Sequence, residues 1–113
     1  MTKALPNTSS ITQCPVEEAI RIIGGKWKLL VLRSLLLNCP QRYNELLRTV
    51  TAISQKELTR NLRELTSAGL IAAGPKISRT TPYDLTKLGK SLMPVFKNLL
   101  TWGQRLSAHI QVR

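Results

Sequence analysis

Residues 53–65 have the sequence ISQKELTRNLREL, which predicts a capped amphipathic helix. The Ser54 hydroxyl stands where it accepts a hydrogen bond from the Glu57 amide, and the Glu57 carboxylate reaches back to the Ser54 amide. Ile53 and Leu58 occupy the two positions of a hydrophobic staple across this cap. Three leucines at helical spacing then form one buried stripe: Leu58, Leu62 and Leu65.

The opposite side of this predicted helix carries long cationic and hydrogen-bonding side chains. They are Gln55, Lys56, Thr59, Arg60 and Arg63. A DNA major groove admits one α-helix and displays hydrogen-bond acceptors on its base edges. Such a face indicates a DNA recognition helix, although an ordinary solvated face on an isolated helix would show the same pattern.

The composition of the chain favours a polyanionic partner. Its 113 residues suit one domain, and 17 Lys and Arg against 6 Asp and Glu give a net charge of +11. An excess of this size favours nucleic acid first and an anionic membrane surface second. No apolar run approaches the ~20 residues that span a bilayer. Because two cysteines are too few for a disulfide scaffold, we expect a cytoplasmic protein.

The sequence around the capped helix predicts further helices and a hairpin. The predicted helices cover residues 15–23, 26–37, 42–50 and 54–68, and Gly69 ends the last of them. Residues 70–73 and 83–85 predict two short strands, joined by a turn-rich segment that carries Lys76 and Arg79. This hairpin would be a wing beside a helix-turn-helix unit at residues 42–68. The predicted fold is therefore mainly α with a small β-hairpin, a winged helix-turn-helix.

A long final helix is expected from the Thr86 cap to about His109, with a kink at Pro94. A helix of ~24 residues spans ~36 Å, which is more than a domain of this size needs for its own core. Its apolar residues recur at three- and four-residue steps along the whole length. The surplus apolar face implies a partner, most economically a second copy related by a two-fold axis.

Several short motifs match one protein family in order. They are CPVE at 14–17, GGKW at 24–27, RYNEL at 42–46, ISQK at 53–56, LREL at 62–65, GLI at 69–71, and YDLT at 83–86 with Gly89. From Cys14 to about Trp102 the chain resembles the HxlR-type bacterial transcriptional regulators, winged helix-turn-helix proteins related to the MarR group. The resemblance implies a homodimer on a palindromic operator, with the helix at 54–68 in the major groove.

The resemblance also implies how the chain is organised. Residues 1–13 are polar and are expected to form a flexible tail, whereas residues 14–113 form the winged helix-turn-helix domain. Dimerisation would use apolar residues of the first and last helices. They are Val16, Ile20, Leu92, Phe96, Leu99, Trp102 and Leu106.

Cys14 is a candidate sensor of redox or electrophile signals. In some members of the family that the chain resembles, the cysteine at the position of Cys14 senses quinones, aldehydes or oxidants. Cys14 precedes a helix N-terminus, where the helix dipole favours a thiolate, whereas Glu17 and Glu18 oppose it. An inert cysteine kept for packing is the alternative. A small-molecule or oxidant effector is thus a further candidate partner.

Candidate DNA contacts fall into two groups. The full set is Arg42, Ser54, Gln55, Lys56, Thr59, Arg60, Arg63, Lys76 and Arg79. Residues in the first two turns of the recognition helix are expected at base edges. Arg63 lies farther along and is expected at phosphate, as are Arg42, Lys76 and Arg79. The sequence indicates no cofactor, no metal site and no catalytic residue, since two cysteines and the lone His109 lack zinc-site spacing.

The sequence therefore predicts a sequence-specific transcriptional regulator and not an enzyme. Two other classes stay open at this point. One is a basic nucleic-acid-binding protein without sequence preference, of the nucleoid kind. The other is an interaction module whose final helix docks a different protein. Binding to an operator and to random DNA separates the first from a regulator, and the oligomeric state of the isolated chain separates the second.

Overall fold

A computed structural model describes residues 14–76 and 79–112 of the chain. The helices are α1 (Pro15–Ile23), α2 (Lys28–Leu37), α3 (Tyr43–Thr49), α4 (Gln55–Ser67), α5 (Lys87–Lys90) and α6 (Met93–Val112). The strands are β1 (Gln41–Arg42), β2 (Ile71–Ala73) and β3 (Pro82–Leu85). The mainly helical fold with a small sheet is confirmed. The predicted tail, residues 1–13, lies outside the described residues.

The core lies where α2, α3 and α4 pack together against the small sheet. Its buried apolar residues are Trp27, Val31, Leu32, Leu35, Leu46, Val50, Ile53, Leu58, Leu62, Leu65, Leu70, Ile71 and Leu85. The predicted stripe of α4 and its staple residue Ile53 therefore face inward, as periodicity required. By contrast, α1 buries no residue, although Pro15 begins it and Gly24 ends it as predicted.

The sheet has three antiparallel strands in the order β1-β3-β2. Strands β2 and β3 form the predicted hairpin, with Ile71 opposite Leu85. Strand β1 was not predicted, because two residues carry no alternating pattern, and it pairs Gln41 with Tyr83. The buried Gln41 amide donates to the carbonyls of Ser34 at 2.8 Å and Asn38 at 2.7 Å, so it ties β1 to the end of α2.

The last turn of α4 closes as the sequence predicted. Gly69 adopts a φ of +81°, the left-handed region that L side chains avoid. Its amide donates to the Thr66 carbonyl at 3.0 Å, and the Leu70 amide donates to the Leu65 carbonyl at 3.1 Å. These two bonds form a Schellman motif, which satisfies the carbonyls at the helix end and turns the chain into β2.

The prediction of one continuous final helix from Thr86 was wrong. Thr86 caps only the four-residue α5, and a turn at residues 91–92 separates α5 from α6. Pro94 is the second residue of α6 rather than a kink within a longer helix. Because proline lacks an amide hydrogen and its ring clashes with the carbonyl four residues earlier, a helix accommodates proline in its first turn, where Pro94 lies, and not in its interior.

Candidate nucleic-acid interface

The N-terminus of α4 is held by the predicted capping box. The Ser54 Oγ accepts from the Glu57 amide at 3.0 Å, and the Glu57 Oε1 accepts from the Ser54 amide at 3.1 Å. These bonds with Ser54, together with one from the Trp27 indole, lower the pKa of Glu57. Because the Ser54 hydroxyl caps the helix by accepting from the Glu57 amide, Ser54 fixes where α4 begins.

The polar face of α4 is exposed along its length. The five side chains of this face that are predicted to contact DNA are all exposed: Gln55, Lys56, Thr59, Arg60 and Arg63. Together with Tyr43 of α3 they line one open concavity of about 500 Å³. The structure thus brings the predicted α4 residues onto one surface, opposite the stripe that the core buries.

Glu64 is an acidic neighbour of Arg60 and Arg63 on α4. Glu64 pairs instead with Lys28 of α2, whose Nζ lies 2.9 Å from the Glu64 Oε1. The hydrogen bond from Lys28, supported by the charges of Lys28, Arg60 and Arg63, lowers the pKa of Glu64. Within residues 14–76 and 79–112, no ion pair involves Lys56, Arg60 or Arg63. The face therefore keeps a positive potential toward solvent.

The other predicted phosphate contacts lie on the sheet and its hairpin. Arg42 is exposed in β1, opposite Pro82 of β3. Lys76 and Arg79 are both exposed in the connection between β2 and β3. Arg79 has a φ of +67°, so it occupies a turn position. Residues 77–78, between the two cations, lie outside the described residues.

Tyr43 of α3 belongs both to this surface and to the packing around the core. It is half-buried, and its Oη lies 3.0 Å from both the Gln55 carbonyl oxygen and the Thr59 Oγ1. Its ring packs against the core, as the helical spacing of Tyr43 with Leu46, Leu47 and Val50 predicts. A tyrosine buries its ring while its hydroxyl reaches a polar partner, and periodicity does not register that second property.

Apolar side chains stand exposed on α1 and α6. The residues expected at a dimer interface include Val16 at 66% exposure, Ile20 at 62% and Trp102 at 60%, with Leu99 and Leu106 also exposed. Leu92 and Phe96 are half-buried against the core instead. Two leucines of α2, Leu30 and Leu37, are exposed as well. Helix α2 is leucine-rich on all sides, so burying one of its faces in the core leaves these two leucines exposed.

The two cysteines are free thiols in different surroundings. Cys14 is half-buried at the N-cap of α1 and makes no side-chain capping bond. Cys39 is exposed, and its Sγ donates to the Asp84 Oδ1 at 2.8 Å. This hydrogen bond to a carboxylate, with a smaller effect of burial, raises the pKa of the Cys39 thiol.

Within residues 14–76 and 79–112, His, Cys, Asp and Glu side chains do not gather in groups of three that would hold a metal ion. None of the helices in the same ranges combines the length and the hydropathy needed to cross a membrane.

The architecture defines the class of protein. Helices α3 and α4 are joined by a short turn, α4 presents a cationic face, and a β-hairpin follows it. This arrangement is the winged helix-turn-helix, a DNA-binding fold.

The chain belongs to the HxlR-like helix-turn-helix family, whose model matches residues 22–111. It is 43% identical over 98 residues to an uncharacterized HTH-type transcriptional regulator of Methanothermobacter thermautotrophicus, covering 85% of this chain and 74% of that protein. Proteins of this family are transcriptional regulators, so the chain is a transcriptional regulator and not an enzyme.

Solved structures show the same fold. A protein assigned to the MarR family of transcriptional regulators, from Porphyromonas gingivalis W83, superposes with a TM-score of 0.77 at 30% identity, over 90% of this chain and 97% of that one. The quinone-bound regulator YodB of Bacillus subtilis superposes with a TM-score of 0.70 at 30% identity, over 81% of this chain and 98% of that one.

Proposed function

We propose that this regulator binds a two-fold symmetric DNA operator as a homodimer, with α4 of each subunit in the major groove. One observation carries the proposal. The leucine stripe of α4 is buried in the core while its five polar residues stand exposed on the opposite face. A helix held this way presents a fixed set of hydrogen-bonding groups to base edges, which sequence-specific recognition requires.

The residues of the interface divide between reading and positioning. Gln55, Lys56, Thr59 and Arg60 occupy the first two turns of α4, the part of a recognition helix that contacts bases. Phosphate contacts come from Arg63, Arg42, Lys76 and Arg79, which lie farther along the helix, on β1 and on the wing. Ser54 contributes by holding the N-terminus of the helix.

The dimer rests on the apolar residues of α1 and α6. Val16 and Ile20 on α1, and Leu99, Trp102 and Leu106 on α6, expose apolar area that a second copy would cover. Exposed apolar side chains in this number on a small domain favour an interface. Two-fold pairing of two α4 helices then predicts half-sites about one or two helical turns apart.

An electrophile or oxidant acting at Cys14 is the proposed signal. YodB, a structural neighbour, is quinone-bound. Cys14 is half-buried at the start of α1, the helix that carries Val16 and Ile20, so a modified thiol would disturb the proposed dimer contact. A Cys14→Ser strain should lose its response to quinone or diamide, and an unchanged response would refute this role of Cys14.

A regulator of chromosomal genes would act in the cytoplasm.

Competition binding tests the main proposal. An operator is first selected from random duplexes, and its affinity is then compared with that of a shuffled duplex at about 150 mM salt. A preference above about 10³-fold is expected of a specific regulator. A smaller preference would favour binding without sequence specificity, which the net charge of +11 would by itself support.

A further inference from the structure

Tyr43 reaches the recognition helix from α3 with a single phenolic hydroxyl. Its oxygen lies 3.0 Å from the main-chain carbonyl oxygen of Gln55, in the first turn of α4. It also lies 3.0 Å from the Thr59 Oγ1, one turn farther along. All three residues line the concavity of the α4 face, so this hydrogen-bonded triangle lies within the surface that would contact DNA.

The hydrogen atoms of this triangle can be assigned by chemistry. A carbonyl oxygen only accepts, so the phenol of Tyr43 donates its one hydrogen to Gln55. The Tyr43 oxygen then offers only lone pairs to Thr59. The Thr59 hydroxyl must therefore donate its own single hydrogen to Tyr43. What Thr59 presents to the outside is an oxygen that accepts, together with its methyl group.

We propose that Tyr43 makes Thr59 a hydrogen-bond acceptor, and that Thr59 thereby selects a base that carries an amino group. In the major groove adenine and cytosine display amino donors, whereas guanine and thymine display carbonyl acceptors. A Thr59 oxygen that only accepts forms a hydrogen bond with the amino group of adenine or cytosine. Opposite the carbonyl oxygen of guanine or thymine, its lone pairs face other lone pairs and the two oxygens repel each other. Tyr43 is a positioning residue here, since it acts through Thr59. The inference rests on the proposed operator binding by α4.

Base preferences at each half-site position test this directly. Every single-base variant of the selected operator is assayed for binding to the full chain. Thr59→Val first identifies the position that Thr59 reads, as the one whose preference changes. There the unmodified protein should prefer adenine or cytosine over guanine or thymine by about fivefold, the lower range for one side-chain contact.

Tyr43→Phe keeps the ring and removes only the hydroxyl. The Thr59 hydroxyl is then free to donate or accept, so the preference at that one position should fall toward parity. The change in preference at that position should exceed any change at the other positions or in the affinity for random duplex. Thr59→Ser, which keeps the hydroxyl beside Tyr43, should retain the preference. Tyr83→Phe is the matched control on the other tyrosine of the chain and should behave like the unmodified protein.

A Tyr43→Phe protein with an unaltered base profile would refute the proposal, as would a guanine or thymine preference at the Thr59 position. Equal weakening on all duplexes would show that Tyr43 merely supports the fold. If the unmodified protein bound selected and random duplexes alike, the proposed operator recognition would itself fail, and this would be evident before any variant was made.

Discussion

The indole Nε1 of Trp27 donates a hydrogen bond to the Glu57 Oε2 at a distance of 2.9 Å. Trp27 is buried at the start of α2, and Glu57 lies in the first turn of α4. The other oxygen of the same carboxylate accepts from the Ser54 amide. One ionised side chain therefore joins the core to the cap of the recognition helix.

Glu57→Gln should make stability less dependent on pH. Because hydrogen bonds lower the folded-state pKa of Glu57, its ionised form stabilises the protein above the ordinary glutamate pKa. This contribution is lost as the pH falls through the lowered folded value. Glutamine takes up no proton, so the free energy of unfolding of the variant should fall less steeply between neutral and acid pH.

Urea denaturation at a series of pH values, followed by circular dichroism, measures this difference. The variant should also be less stable at pH 7, since an amide offers one acceptor oxygen where the carboxylate offers two. Parallel curves for the two proteins across the acid range would show that Glu57 does not couple its charge to folding.

The recognition helix was predictable because its determinants are local. The capping box pairs residues three positions apart, and the buried stripe repeats at helical spacing, so the sequence of α4 contains both signals. The end of α4 at Gly69 was predictable for the same reason, since it depends only on the backbone conformation of that residue. The five exposed polar residues then followed as the remaining face of the same helix.

The features that the sequence did not predict depend on distant partners. Strand β1 forms because Gln41 and Arg42 lie beside β3, about forty residues later in the chain. The hydroxyl of Tyr43 finds Thr59 only once α3 packs on α4. The break before α6 does have a local signal, because Pro94 fits the first turn of a helix and not its interior.

Gly69→Ala should destabilise the fold by about 1–2 kcal/mol. A Cβ at this position would meet no atom within 4 Å, so the cost is conformational and comes from the φ of +81°. Ser67→Ala is the control, because Ser67 is exposed in the last turn of α4 and should change stability by less than about 0.5 kcal/mol. Equal unfolding midpoints in urea for the two variants would contradict the left-handed conformation.

Asp84→Asn should make the Cys39 thiol more reactive. The carboxylate of Asp84 raises the pKa of Cys39 by accepting its hydrogen bond and by opposing a negative thiolate. A neutral amide removes that opposition, so more thiolate forms at pH 8 and alkylation by iodoacetamide should be faster. The rate is measured by mass spectrometry in a Cys14→Ser background, so that only Cys39 reacts. An unchanged rate would mean that Asp84 does not control the thiol.

Leu106→Glu should convert the proposed dimer into monomers. Leu106 is 41% exposed on α6, so the substitution leaves the core of the subunit intact. A charge buried at the interface would raise the dimer dissociation constant by about a hundredfold or more. Light scattering measures the change, with Gln104→Glu as a control of the same charge at another exposed position of α6. A monomeric unmodified protein, or two equally dimeric variants, would exclude this interface.

Arg60→Ala should weaken operator binding and relax the preference at one base position. Arg60 is exposed in the second turn of α4 and forms no ion pair with a described residue, so its guanidinium is free to bond guanine O6 and N7. The loss should be about 1–3 kcal/mol on the operator and much smaller on shuffled duplex.

Lys76→Ala is the contrasting variant, because a phosphate contact from the wing carries no sequence information. It should weaken binding to both duplexes to a similar extent and reduce the slope of log affinity against log salt by about one. Fluorescence anisotropy titrations at several salt concentrations distinguish the two patterns. If Arg60→Ala also weakened both duplexes equally, Arg60 would be a phosphate contact, and base reading would have to come from the other residues of the first two turns of α4.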